Sequence, residues 1–245
     1  MKLSFLLLFP FILYLFSPIS SAAMPQSIRI AVYLEAPNAY FEHEKLVGLN
    51  VQLSKLIAKQ LKINAILLPC PFARCLSIMK NGQADLIVDI NKTEQRQTYL
   101  TYLPPYKVQP YPLNFFTLKK KKIVINDYPD LKNLIIGVSR GYTYSKRFDE
   151  DKKLKKVYLN SIPQLVSMLR KERVDSFIAR EESLIVIPEY QQNKQAFTAS
   201  ALFFSKATPS YLAISKKSKF ILYLDEIEKS ITILMKDEKI TTIFK

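Results

Sequence analysis

Hydrophobic and polar positions along the chain fall into short blocks whose period switches between that of a strand and that of a helix. Residues 28–33, Ile-Arg-Ile-Ala-Val-Tyr, alternate and are rich in β-branched side chains, which predicts a strand. Leu53, Leu56, Ile57 and Leu61 make one apolar stripe, so residues 50–61 are expected as a helix with Asn50 as its cap. Residues 63–68 predict a second strand. Residues 72–80 predict a short helix with Leu76 and Met79 inward and Asn81-Gly82 as its stop, and 85–90 a third strand, nearly all apolar and therefore buried. Strand, helix, strand, helix, strand in that order predicts an α/β fold with crossover helices. The same grammar returns after the basic run Lys119 to Lys122: a strand at 134–138, a turn at Gly141, a helix starting at Thr143, a strand at 157–159, a helix at 162–170 and a strand at 174–179. Leu224, Ile227, Ile231 and Leu234 then carry a helical period through 220–244. No Gly/Ser-rich linker divides the halves and no solenoid period is present, so two lobes joined by extended segments are expected.

Residues 1–23 follow neither period. Lys2 precedes an apolar run from Leu3 to Phe16, and Ser-Ser-Ala-Ala at 20–23 ends it with small residues, the pattern of an export signal cleaved after Ala22 or Ala23. A membrane span would need roughly 20 apolar residues, and Pro10 interrupts this run. With no Cys after the run, a periplasmic protein without a lipid anchor is expected. That compartment bears on Cys70 and Cys75, the only two cysteines: a local disulfide is favoured there, the alternative being two buried free thiols. A metal site would require further soft ligands that the chain lacks.

Composition narrows the classes further. At 49% hydrophobic over 245 residues the chain has the material for a large core, so disorder is excluded as the main state. His43 is the single histidine, which leaves neither a His-rich metal centre nor a Ser-His-Asp triad to build; no metal and no cofactor are expected. Lys and Arg number 36 against 21 Asp and Glu, a formal charge of +15. The densest basic clusters, Lys119 to Lys122 and Lys152, Lys153, Lys155 and Lys156, lie on no long basic helix with interleaved aromatics, so nucleic acid is not the expected partner.

Five short motifs occur in a fixed order. They are Lys45-Leu-Val-Gly48-Leu-Asn50-Val, Met79-Lys-Asn-Gly82-Gln-Ala-Asp85-Leu, and Lys92-Thr93-Glu94-Gln95-Arg96 followed by Leu103-Pro104-Pro105-Tyr106. Ile136-Gly137-Val138-Ser139-Arg140-Gly141-Tyr142-Thr143 and Glu172-Arg-Val-Asp175-Ser-Phe complete the set. Each is weak alone; together, over 28–244, the chain resembles the family-3 extracellular solute-binding proteins, the type II periplasmic binding proteins of amino-acid ABC transporters. The resemblance implies a two-lobe α/β fold, each lobe a mixed sheet flanked by helices, with the ligand cleft between them. Residues 24–112 with 206–245 would form lobe 1, and 113–205 lobe 2.

The resemblance also implies a site. Arg96 would hold the ligand carboxylate, as a guanidinium fork does bidentately, and Thr143, at a helix start, would give a second anion contact across the cleft. Asp89 and Asn91 match family positions that contact the ligand. Tyr142 replaces the family's first Thr and could form an aromatic wall, while Tyr33 and Tyr40 stand where the family places aromatic cleft residues. One departure concerns charge: the family's usual Asp for the ligand ammonium is Arg180 here. Either Asp89, with Glu181 the next acid, takes that role, or the ligand has no ammonium and carries extra negative charge; Arg74, Arg140 and Arg180 near the cleft would favour the latter. The implied function is capture of a small carboxylate-bearing solute and its presentation, by a monomer, to an ABC permease. Alternatives are an orphan binder feeding a membrane sensor and an enzyme similar to cyclohexadienyl dehydratases, in which Glu181 or Asp89 would serve as acid or base.

Overall fold

The computed structural model describes residues 23–110, 112–205 and 207–236. The expected export signal therefore lies, except for Ala23, outside the described residues, as does the end of the expected C-terminal helix beyond Lys236.

The first half of the chain runs β1 (Ser27–Tyr33), β2 (Tyr40–Glu42), β3 (Lys45–Val47), α1 (Leu49–Gln60), β4 (Asn64–Cys70), α2 (Phe72–Lys80), β5 (Leu86–Ile90), α3 (Glu94–Gln97), β6 (Leu100–Tyr102) and β7 (Lys107–Pro110). The second half runs β8 (Leu113–Leu118), β9 (Ile135–Ser139), α4 (Lys146–Glu150), β10 (Lys155–Leu159), α5 (Ile162–Arg170), β11 (Ser176–Ala179), α6 (Pro188–Gln191), β12 (Phe197–Phe204), β13 (Ala207–Ser215) and α7 (Leu224–Met235). Two mixed sheets result. The first has the order β4-β1-β5-β13-β6, with β7 also paired to β13; the second has the order β10-β9-β11-β8-β12. In each, three parallel strands joined by crossover helices carry an antiparallel strand at one side, β13 on β5 and β8 on β11. The chain passes between the lobes twice, from β7 to β8 and from β12 to β13.

Both parallel cores close through the same device. At the entry to β5, the Asp85 N–H donates to the Arg29 carbonyl, and the Arg29 N–H donates back to the Asp85 carboxylate at 2.9 Å. At the entry to β11, the Asp175 N–H donates to the Ile135 carbonyl, and the Ile135 N–H donates to the Asp175 carboxylate at 2.8 Å. These aspartates belong to two of the five motifs, and each carboxylate takes a neighbouring-strand N–H on the side where the β5 or β11 ladder has not yet begun. Asp85 also takes the Arg29 guanidinium and the Ser218 hydroxyl. Burial alone would raise its carboxyl, and these donors overcome that and hold it below its ordinary value.

Two apolar clusters flank the first sheet, one with Leu53, Ile57, Ile227 and Ile231 from α1 and α7, the other with Met79 and Ile78 from α2. Two more flank the second, through Leu165 and Leu169 of α5 and through Phe148 of α4. Burying each such side chain stabilises the fold by about 1.5–3 kcal/mol.

Local expectations fail at helix starts. Asn50 does not cap α1: Gly48 does, at φ 120, and Asn50 is buried in the first turn with its N–H on the Asn38 carbonyl at 2.8 Å. Backbone carbonyls of Pro37 and Asn38 here replace a capping side chain, and a Cβ on Gly48 would lie 2.4 Å from the Asn38 oxygen, so the loop needs glycine. The helix expected from Thr143 begins instead at Lys146, capped by the Ser145 hydroxyl accepting from the Phe148 N–H. Residues 219–223 form a 3₁₀ turn ahead of α7 rather than part of it. The hairpin β2–β3 and strands β6, β7, β8, β12 and β13 are absent from the sequence expectation, although β12 alternates in burial along its length.

Candidate functional site

Open α/β sheets place ligands beyond the carboxyl ends of their parallel strands, and here the two lobes turn those ends toward each other. Glu35 follows β1, Asp89 stands near the end of β5 with Asn91 just beyond it, Tyr142 and Thr143 follow β9, and Arg180 and Ser183 follow β11. A cavity of about 130 Å³ lies between them, lined among others by Tyr33, Glu35, Asp89, Arg96, Tyr142 and Arg180.

Arg96 is placed by its short helix, whose cap Thr93 accepts from the Arg96 N–H. The side chain is 5% exposed and lies 5.2 Å from the centre of the Phe72 ring. It donates to the Asn91 carbonyl at 2.9 Å and, across the cleft, to the Gly141 carbonyl at 3.0 Å. Burial lowers this guanidinium below its ordinary value, while nearby Tyr102, Tyr99 and Tyr33 oppose the shift. An arginine remains charged in any case, and its fork has N–H donors beyond those two.

Asp89 sits in left-handed backbone, φ 57, a conformation Asp tolerates better than most residues. Its carboxylate accepts from the Tyr33 hydroxyl and the Asn38 amide, each at 3.0 Å. Burial, then the carboxylates of Asp89 and Glu35, push the Tyr33 phenol well above its ordinary value, so it stays protonated as a donor.

The densest polar cluster was not visible in sequence. Glu35, 5% exposed, reaches from lobe 1 to three groups of lobe 2. One carboxylate oxygen accepts from the Arg180 guanidinium, with Nε at 3.0 Å, and from the Ser183 hydroxyl at 2.8 Å; the other accepts from the Tyr142 hydroxyl. Burial would lower the Arg180 guanidinium, but Glu35, Tyr33 and Asp89 together leave it above its ordinary value. An aromatic seam runs alongside: Tyr33 meets Phe72 edge-on at 5.1 Å, and Phe72 meets Tyr142 at 4.7 Å. Phe72 stands at the start of α2 between Cys70 and Cys75, which form a disulfide with their Cα atoms 5.5 Å apart.

Seven of the nine residues expected at the site line the cavity: Tyr33, Asp89, Asn91, Arg96, Tyr142, Thr143 and Arg180. Two do not. Tyr40 lies in the hairpin strand β2, and Arg74 is exposed on α2. Arg140 is exposed and bonded to Asn160 and the Tyr158 carbonyl, and Glu181 is an exposed side chain 3.9 Å from Lys194. Thr143 reaches the cavity from a loop, not from a helix start. Missed from sequence were Glu35, Asn38, Phe72, Tyr144, Ser183 and the strand residues Thr208 and Ser210. Glu35 offered no motif, though its place just beyond β1 was a usable signal.

Residues 28–245 match the description of the bacterial extracellular solute-binding proteins, family 3. The chain belongs to that family. Among curated proteins, the arginine-binding extracellular protein ArtP of Bacillus subtilis (strain 168) is 26% identical over 152 residues, 59% of this chain. The match spans 57% of that relative's length. Among solved structures, an ancestral arginine-binding protein bound to arginine superposes with a TM-score of 0.75 at 23% identity, covering 91% of this chain and 98% of that one. The amino acid ABC transporter substrate-binding protein AbpA of Streptococcus pneumoniae Canada MDR_19A, bound to L-arginine, gives 0.72 at 22%, covering 89% and 92%. The family is one of solute binders, and the fold is the two-lobe type II periplasmic binding protein fold.

Proposed function

We propose that this solute-binding protein captures a small α-amino acid or close relative between its lobes and presents it to an ABC permease from the periplasm, after signal cleavage and without covalent chemistry. The carrying observation is that Arg96 and Asp89 line one cavity with opposite charge. Arg96 supplies the fork for a carboxylate. Asp89, already oriented by Tyr33 and Asn38, supplies the acid for an ammonium. Arg180 adds no uncompensated positive charge, because Glu35 neutralises it, and this removes the support for a ligand with extra negative charge. The enzyme reading is weaker: Glu181 lies on the surface beside Lys194, and Asp89 is committed to orienting bonds.

The experiment is isothermal titration of the purified protein with L-amino acids and with amines lacking the carboxylate, repeated on Arg96→Lys and Arg96→Ala. Acids should bind and the amines should not. Arg96→Lys, which keeps the charge but loses the planar fork, should weaken binding at least about ten-fold. Unchanged affinity in both variants, or conversion of prephenate to phenylpyruvate by the wild type, would overturn the assignment.

A further inference from the structure

The arginine pole of the site is occupied by the protein itself. Glu35 is the cleft acid that a cationic ligand side chain would seek, yet its oxygens accept from Arg180, Ser183 and Tyr142. We propose that the solute is a small zwitterion without net charge, of about the size of alanine or serine, and that basic amino acids are excluded because Arg180 already holds Glu35. The inference rests on the amino-acid reading of this cavity and narrows it, away from the arginine named for the relatives.

Three observations carry it. The first is the acceptor count at Glu35. A guanidinium or ammonium from a ligand would have to compete with Arg180, whose side chain is 12% exposed, for the Glu35 carboxylate. A buried charge stripped of its counter-ion is strongly disfavoured. The second is charge balance. The lining holds two cations, Arg96 and Arg180, and two acids, Glu35 and Asp89. A zwitterion placed between Arg96 and Asp89 leaves the buried site neutral, whereas arginine or lysine adds a positive charge with no acid to meet it, and glutamate adds a negative one. The third is size. The cavity is about 130 Å³. A dry cavity of about 150 Å³ accommodates benzene, roughly six non-hydrogen atoms, which is the scale of alanine and about half that of arginine.

Calorimetric titration of the purified protein with L-alanine, L-serine, L-glutamate, L-arginine and L-lysine tests this, alongside Arg180→Ala and Arg180→Lys with thermal midpoints to verify folding. Wild type should bind alanine or serine at least about ten-fold tighter than arginine, lysine or glutamate. Arg180→Ala frees Glu35 and should gain arginine affinity at least about ten-fold, while Arg180→Lys, which keeps a cation on Glu35, should not. Arginine binding wild type as tightly as alanine, with Arg96→Lys still weakening both, would overturn this inference and leave the amino-acid reading standing. A folded Arg180→Ala without any gain would overturn it as well. No heat with any amino acid would bring down both. If Arg180→Ala does not fold, the wild-type ranking alone decides.

Discussion

Asp89 shows how much chemistry a single position holds. Its left-handed backbone turns the carboxylate back toward the end of β1, where Tyr33 and Asn38 donate to one oxygen. That leaves a negative group with fixed orientation in a cavity that Arg96 also lines. Asp89→Asn keeps the shape and an acceptor for Tyr33 but removes the charge an ammonium needs. Affinity for L-alanine should fall at least about ten-fold, as for loss of a charged hydrogen bond at about 1.5–3 kcal/mol. Affinity for lactate, which lacks the ammonium, should not fall. Equal losses for both ligands, measured by titration, would mean that Asp89 shapes the pocket without reading the ammonium.

At the scale of elements, the two lobes repeat one solution. A helix ends, an aspartate follows, and its carboxylate takes an N–H of the neighbouring parallel strand just ahead of the ladder the two strands share: Asp85 on Arg29 of β1, Asp175 on Ile135 of β9. Both clamped strands run toward the cleft, where Glu35 follows β1 and Tyr142 follows β9. Asp85 also makes a pH prediction. Its folded carboxyl lies below its ordinary value, so its contribution is fully present above the unfolded value of about 3.9 and is lost as pH falls through the lower folded value. Stability should therefore decline from about pH 4 downward. Asp85→Asn should lower stability at neutral pH by roughly 2–3 kcal/mol, through the unsatisfied groups it leaves, and should flatten that acid limb in a denaturant series against pH. An unchanged limb would place the acid sensitivity elsewhere.

Over the whole molecule, the lobes are held face to face by named bonds: Glu35 to Arg180, Ser183 and Tyr142, and Arg96 to the Gly141 carbonyl. Gly141, at φ 85, lets lobe 2 approach α2 so closely that a Cβ there would meet Leu76, Ala73 and Phe72 at 3.3–3.4 Å. Two crossing segments between the sheets are the natural hinge for opening. Glu35 thus bears on closure as well as on selectivity. Glu35→Ala removes one side of the cross-cleft cluster, so the ligand-free protein should shift toward an open form. Small-angle scattering should record a larger radius of gyration than for wild type, and an identical scattering curve would show that the remaining contacts suffice to hold the lobes together.

Periodicity alone determined the parallel cores of both lobes. Strands such as β1 and helices such as α2 and α5 are dictated by apolar spacing within a dozen residues, and the ordered motifs added the two-lobe fold and Arg96. The antiparallel strands β8 and β13 escaped because pairing with partners distant in sequence makes them strands, whereas β12 does alternate in burial and was a readable signal. The cap of α1 escaped because its acceptors are backbone carbonyls of another loop. Arg180 was visible as a break in the family pattern, but its meaning was not. A residue 145 positions away in the chain, Glu35, turns it from a free positive charge into half of a neutral pair. Local sequence carries the elements because their energetics are local; the sign of the site's charge is a sum over side chains that only the closed tertiary structure brings within bonding distance.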